Sequence, residues 1–64
     1  MNSMLNAIME YFENNNTTDL IPSDIDKLTS LTEEQRKAIS TNIDGYSKMA
    51  NSLISTNDAQ EVLT

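Results

Sequence analysis

The stretch LTEEQRKAISTNIDGYSKMANSLIS, residues 31–55, decides the fold of this chain. It opens with a helix-start box, Thr32-Glu33-Glu34-Gln35. The Thr32 hydroxyl can accept from the backbone of Gln35 while the Gln35 side chain reaches back to the backbone of Thr32. An apolar stripe follows at Ile39, Ile43, Tyr46, Ala50 and Leu53. Steps of four and three residues keep these side chains on one face of a helix, the seam by which one helix packs against another. The spacing predicts a long helix over 32–55. Glu33 with Lys37, and Asp44 with Lys48, have the favourable orientation for pairs four residues apart, each contributing about 0.3 kcal/mol. Against this, Ser40, Thr41, Asn42, Gly45, Ser47, Asn51 and Ser52 are mediocre or poor helix formers, and Gly45 alone costs roughly 1 kcal/mol relative to alanine. Such a helix depends on what its stripe packs against, and Gly45 reads as a tolerated glycine, with a kink or a close helix approach as the alternative.

Upstream, Met1, Leu5, Ile8 and Phe12 repeat with helical spacing on one face, with Met4 and Met9 beside them, and predict a first helix near 3–13. Methionine fills irregular gaps, so these methionines read as core or as an interface between copies. Asn14, Asn15, Asn16, Thr17 and Thr18 end that helix, since asparagine tolerates the left-handed geometry of a C-terminal cap. Pro22 requires an extended Ile21 before it. Ser23 is then the expected cap of a short second helix near 23–30, with Asp24 and Asp26 in its first turn and Ile25 and Leu28 on its apolar face. Asn57 and Gln60 suggest a fourth, terminal helix near 57–63.

The fold expected is all-α: a small module of three to four helices in one domain, with the long third helix packed antiparallel on the first. Its predicted core is Leu5, Ile8, Phe12, Ile25, Leu28, Leu31, Ile39, Ile43, Tyr46, Ala50 and Leu53. Sixty-four residues bury only about 60% of the unfolded surface. The apolar content around Met4, Met9, Met49 and Ile54 exceeds what one thin core covers, so a homodimer is expected.

Composition limits the chemistry. The chain has no cysteine and no histidine, which removes thiolate catalysis, disulfides and imidazole acid–base chemistry and makes a zinc site improbable. No cofactor or metal is expected. Asp24 and Asp26 are two apart and point to different faces, and Glu33 and Glu34 are adjacent at a helix start, where carboxylates suit the dipole. The run from Asp19 fails as a calcium loop, with Pro22 inside it, no glycine at its sixth position and Ser30 where a glutamate is needed. One glycine in the whole chain rules out a glycine-rich phosphate loop. The short helix followed by a longer one has the outline of a helix-turn-helix, but Glu33 and Glu34 would meet phosphates with the wrong sign.

Ten acidic and four basic residues leave a net charge of −6. That balance argues against direct nucleic-acid binding and is suited to a basic groove on a partner protein. There is no apolar run of membrane-spanning length and no basic segment before Lys27, so a cytoplasmic protein is expected. The reading that results is a small acidic non-enzymatic protein that binds and modulates another protein. Phage and mobile-element inhibitors of host machinery are of this type, by analogy of class. The alternative is a structural or assembly subunit of a larger particle. Glu10, Tyr11, Glu13, Asp19, Asp24 and Asp26 form the candidate protein-binding surface. Tyr11 is expected to be half-exposed, and Tyr46 buried in the stripe.

Overall fold

The computed structural model describes residues 3–63, with side chains for residues 3–55. All regular structure there is helical: α1 (Ser3–Asn15), a 3₁₀ helix (Pro22–Lys27), α2 (Glu33–Thr41) and α3 (Ile43–Leu63). Helix α1 packs chiefly on α3, and α2 packs on the 3₁₀ helix and, less extensively, on both α1 and α3. The 21 residues of α3 rise about 31 Å and account for most of the long dimension of a 38 × 22 × 19 Å molecule.

Several of the helix ends have a local cause. Asn16 adopts φ 49°, the left-handed conformation that asparagine tolerates. The backbone N–H of Thr17 donates to Phe12 O at 3.1 Å and that of Asn16 to Glu13 O at 3.4 Å. These two bonds make a Schellman motif that satisfies the last carbonyls of α1. Ile21 is extended at φ −79°, ψ 126° ahead of Pro22, as proline requires. The second helix differs from expectation: it is a 3₁₀ helix of six residues, shorter than 23–30, and its start has no side-chain cap, so Ser23 does not serve as one. Proline supplies the start instead, because its fixed φ suits the first helical position.

The capping box at α2 is complete. Gln35 N–H donates to Thr32 Oγ1 at 3.1 Å, and Thr32 N–H donates to Gln35 Oε1 at 2.9 Å. Gln35 Nε2 also donates to Ser3 Oγ at 3.2 Å, which ties the start of α2 to the start of α1. Arg36 secures the preceding turn by donating from Nη1 to the carbonyls of Leu31 and Leu28.

The expected single helix over 32–55 is interrupted at Asn42. With φ −144° and ψ 56°, Asn42 ends α2, while its side-chain oxygen accepts from Gly45 N–H at 3.3 Å and caps α3. The weak helix formers from Ser40 to Gly45 make the interruption inexpensive, and Asn42 offers the backbone an alternative partner. The separate terminal helix near 57–63 is absent, since α3 continues unbroken to Leu63. Neither Glu33–Lys37 nor Asp44–Lys48 forms an ion pair; among the described residues the ion pair is Lys27–Asp24, at 3.2 Å. Exposed pairs of this kind gain too little to hold two long side chains in place.

The core contains Ile8, Phe12, Ile25, Leu28, Leu31, Ile39 and Ala50, as the stripes predict, together with Ala7, Tyr11 and Leu20. Ile8, Ile39 and Ala50 are wholly inaccessible. Four expected core members, Leu5, Ile43, Tyr46 and Leu53, are only half-buried. Two layers of short helices cover the centre of a stripe and leave its edges partly wet.

Candidate functional site

The six residues singled out from the sequence separate into three sets. Glu10, Tyr11 and Asp24 line one cavity of about 310 Å³ between α1 and the 3₁₀ helix, together with Ala7 and Leu28. Glu13 and Asp19 are exposed and lie outside it. Asp26 lines a second groove of about 410 Å³ with Glu33, Arg36 and Lys37.

Tyr11 is buried, at 8% exposure, where half-exposure was expected. The reason is visible in its spacing: Tyr11 lies four residues after Ala7 and three after Ile8, so it shares their face. Its ring meets that of Phe12 edge-on at 6.2 Å between centroids. Its hydroxyl leaves the core and donates to Asp24 Oδ2 at 2.6 Å, and Lys27 Nζ approaches the other oxygen, Oδ1, at 3.2 Å. A phenol, a carboxylate and an ammonium thus join α1 to the 3₁₀ helix. Asn15 Nδ2 donates to Tyr11 O at 2.9 Å on the same wall.

This contact moves the Asp24 and Tyr11 pKa values further from neutral pH. The Tyr11 hydroxyl, and then Lys27, hold the Asp24 carboxyl below its usual value near 3.8. The bond to Asp24, with burial adding to it, pushes the Tyr11 phenol above its usual value near 10.0. A general acid or base works best with a pKa near the operating pH. Asp24 is held ionised and Tyr11 protonated, so the arrangement serves as a tie between elements. Among the described residues no group of three or more carboxylates comes together as metal ligands would. No helix among them is long and apolar enough to cross a membrane.

Comparison with protein-family models, with curated proteins and with solved structures found no match for this chain. The functional reading therefore stands on charge, exposure and geometry.

Lys27 was not singled out from the sequence, although its place three residues after Asp24 in a helix is the signal that pairs them. Seven of the eight carboxylates with described side chains (Glu10, Glu13, Asp19, Asp26, Glu33, Glu34 and Asp44) are exposed. Asp24 alone is partly covered, and it alone is ion-paired. The negative surface is therefore largely uncompensated.

Proposed function

We propose that this chain is a small acidic non-enzymatic protein that binds and modulates another protein, in the manner of phage or mobile-element inhibitors, through a surface around Glu10, Tyr11, Glu13, Asp19, Asp24 and Asp26. The observation that carries the reading is the set of exposed, unpaired carboxylates on a chain of net charge −6. Such a surface is repelled by nucleic-acid phosphates and attracted by the basic groove of a protein that binds them. The Tyr11–Asp24–Lys27 tie supports it by fixing the 3₁₀ helix against α1, which presents the carboxylates on a rigid surface and lowers the ordering cost of binding.

The test is affinity capture with the wild-type chain and with a Glu13→Lys/Asp26→Lys variant, at low and high salt. The expected result is one stoichiometric basic partner that wild type retains, the variant loses and duplex DNA displaces. Recovery of the same proteins by both chains sinks the reading.

A second reading, a structural or assembly subunit acting as a homo-oligomer, is favoured by apolar side chains left partly wet. Met49 is 45% exposed, and Leu5, Leu53 and Ile54 are half-buried. In this reading α1 and α3 run antiparallel within each copy, and a second copy covers the remaining apolar surface. It requires a melting temperature that rises with protein concentration.

A further inference from the structure

The stripe Ile39, Ile43, Tyr46, Ala50 and Leu53 keeps its steps of four and three straight through the joint between α2 and α3. Only Asn42 separates the two helices. Its N–H still bonds Ile39 O at 3.2 Å, and its carbonyl already accepts from Tyr46 N–H at 3.1 Å. The non-helical backbone is therefore one residue long, and the apolar spacing of the sequence on its two sides is that of one continuous helix.

The contacts divide at the same place. Helix α2 packs most on the 3₁₀ helix and to a lesser, equal extent on α1 and α3, while α3 is held mainly by α1. Breaking the chain at Asn42 separates a body comprising α1, the 3₁₀ helix and α2 from a second body, α3, joined mainly through the α1–α3 interface and the bond from Asn51 Nδ2 to Thr18 O at 3.0 Å. A one-residue joint between two such bodies is the anatomy that permits exchange of an element between copies.

We propose that Asn42 is an exchange hinge. When it straightens, α2 and α3 fuse into one helix, and α3 of each copy docks on α1 of a second copy to form an exchanged homodimer. The occupant of the vacated α1 face is the same helix from another chain, so the contacts around Ile8, Phe12 and Ala50 are rebuilt between chains. The Asn51–Thr18 bond crosses between chains in the same way. The fused form gains the helical hydrogen bonds lost at Asn42 and brings together the half-buried Ile43 and Tyr46 of two seams. Opposing it are the Asn42 cap on Gly45 and the weak helix formers from Ser40 to Asp44. Each copy also carries a charge of −6, so added salt favours the dimer by screening.

The inference rests on the self-association part of the second reading above, and its test separates the two. The chain has no cysteine, so Glu34→Cys/Lys48→Cys admits a pair of spin labels on two exposed positions. Labelled chains diluted into unlabelled ones report the distance within one chain. In a fused helix the 14 residues between positions 34 and 48 rise about 21 Å, and the bent joint gives a shorter distance. Sedimentation equilibrium measures dimerisation of wild type and of Asn42→Ala/Gly45→Ala, which removes the cap and strengthens the fused helix. The expected result is a dimer association constant raised roughly tenfold or more by the double substitution, with the long distance found in the dimer alone. A variant that stays monomeric at millimolar concentration overturns the proposal. A dimer that keeps the short distance also overturns it, while leaving self-association standing. Wild-type chain refolded from urea at high concentration gives the same distance readout with the joint unaltered, should the double variant fail to fold.

Discussion

The side chain of Asn42 lies folded over Gly45: its oxygen accepts from Gly45 N–H at 3.3 Å, and a Cβ on residue 45 would come within 2.5 Å of Asn42 Nδ2. The cap on α3 therefore depends on the glycine three residues later. Position 45 has an ordinary helical backbone, so the glycine serves here by the space it leaves and not by its conformational freedom.

This dependence predicts a coupled pair of substitutions. Gly45→Ala gains up to about 1 kcal/mol of helix propensity but expels the Asn42 cap, itself worth about 1 kcal/mol, so its net effect is close to zero. Asn42→Ala alone destabilises by about 1 kcal/mol, and in the Gly45→Ala background it costs nearly nothing. Urea unfolding of the four chains at micromolar concentration measures the coupling. Additive effects would refute the shared geometry.

The tie between Tyr11 and Asp24 predicts a pH dependence with two limits. The folded pKa of Asp24 is lowered, so its contribution is complete above the unfolded value and is lost as pH falls through the folded one. The folded pKa of Tyr11 is raised, so its contribution is complete below the unfolded value and is lost as pH rises through the folded one. The contact is thus whole from about pH 4 to about pH 10. Tyr11→Phe is less stable than wild type within that window, and the difference shrinks towards both extremes. A difference in Tm that stays constant between pH 2 and pH 7 would contradict the assignment.

Arg36 predicts a substitution that is not conservative. One nitrogen of its guanidinium serves the carbonyls of both Leu28 and Leu31, and the planar fork of the group holds its donors in fixed geometry. Arg36→Lys keeps the charge but not that geometry and is expected to cost about 1 kcal/mol, with Arg36→Met costing about 2 kcal/mol. Denaturant midpoints check both values, and equal stability of the three chains would show that the turn holds without this side chain.

Burial predicts unequal costs along one stripe. Ile39 is inaccessible and Leu53 half-buried, although the two are equivalent in the sequence pattern. Ile39→Ala is expected to cost about 3–4 kcal/mol, enough to unfold much of a marginal 64-residue domain. Leu53→Ala should cost about 1 kcal/mol, since little cavity opens at the edge of the core. Thermal melts distinguish them, and comparable losses would mean that the seam is covered evenly.

The features legible in the sequence are those whose cause spans three or four residues. The Thr32–Gln35 box, the left-handed Asn16 after α1 and the extended Ile21 before Pro22 are local chemistry, complete once the neighbouring residues are known. The apolar faces of α1 and of the long seam were readable for the same reason, because helical periodicity alone selects the face. Of the candidate surface, the exposure of Glu10, Glu13, Asp19 and Asp26 follows from their charge. The convergence of Tyr11 with Asp24 does not, since the two are 13 residues apart in the chain and meet only when the 3₁₀ helix folds onto α1.

Tertiary structure decided what local preferences left balanced. Between Ser40 and Gly45 a continuous helix and a capped break differ by little more than the worth of one cap, and the packing of α2 on the 3₁₀ helix, α1 and α3 accompanies the break at Asn42. Periodicity identifies the face of Leu53 and of Ile39 alike, but the depth of each depends on how far neighbouring helices extend over it. With 13 residues in α1 against 21 in α3, the shorter helix cannot cover the longer. The sequence by itself therefore determined the helical class, the capped end of α1 at Asn16, the capped start of α2 at Thr32 and the sign of the surface. The arrangement of those helices in space determined where the long seam bends, which parts of it are dry, and that the Tyr11 hydroxyl is held by Asp24.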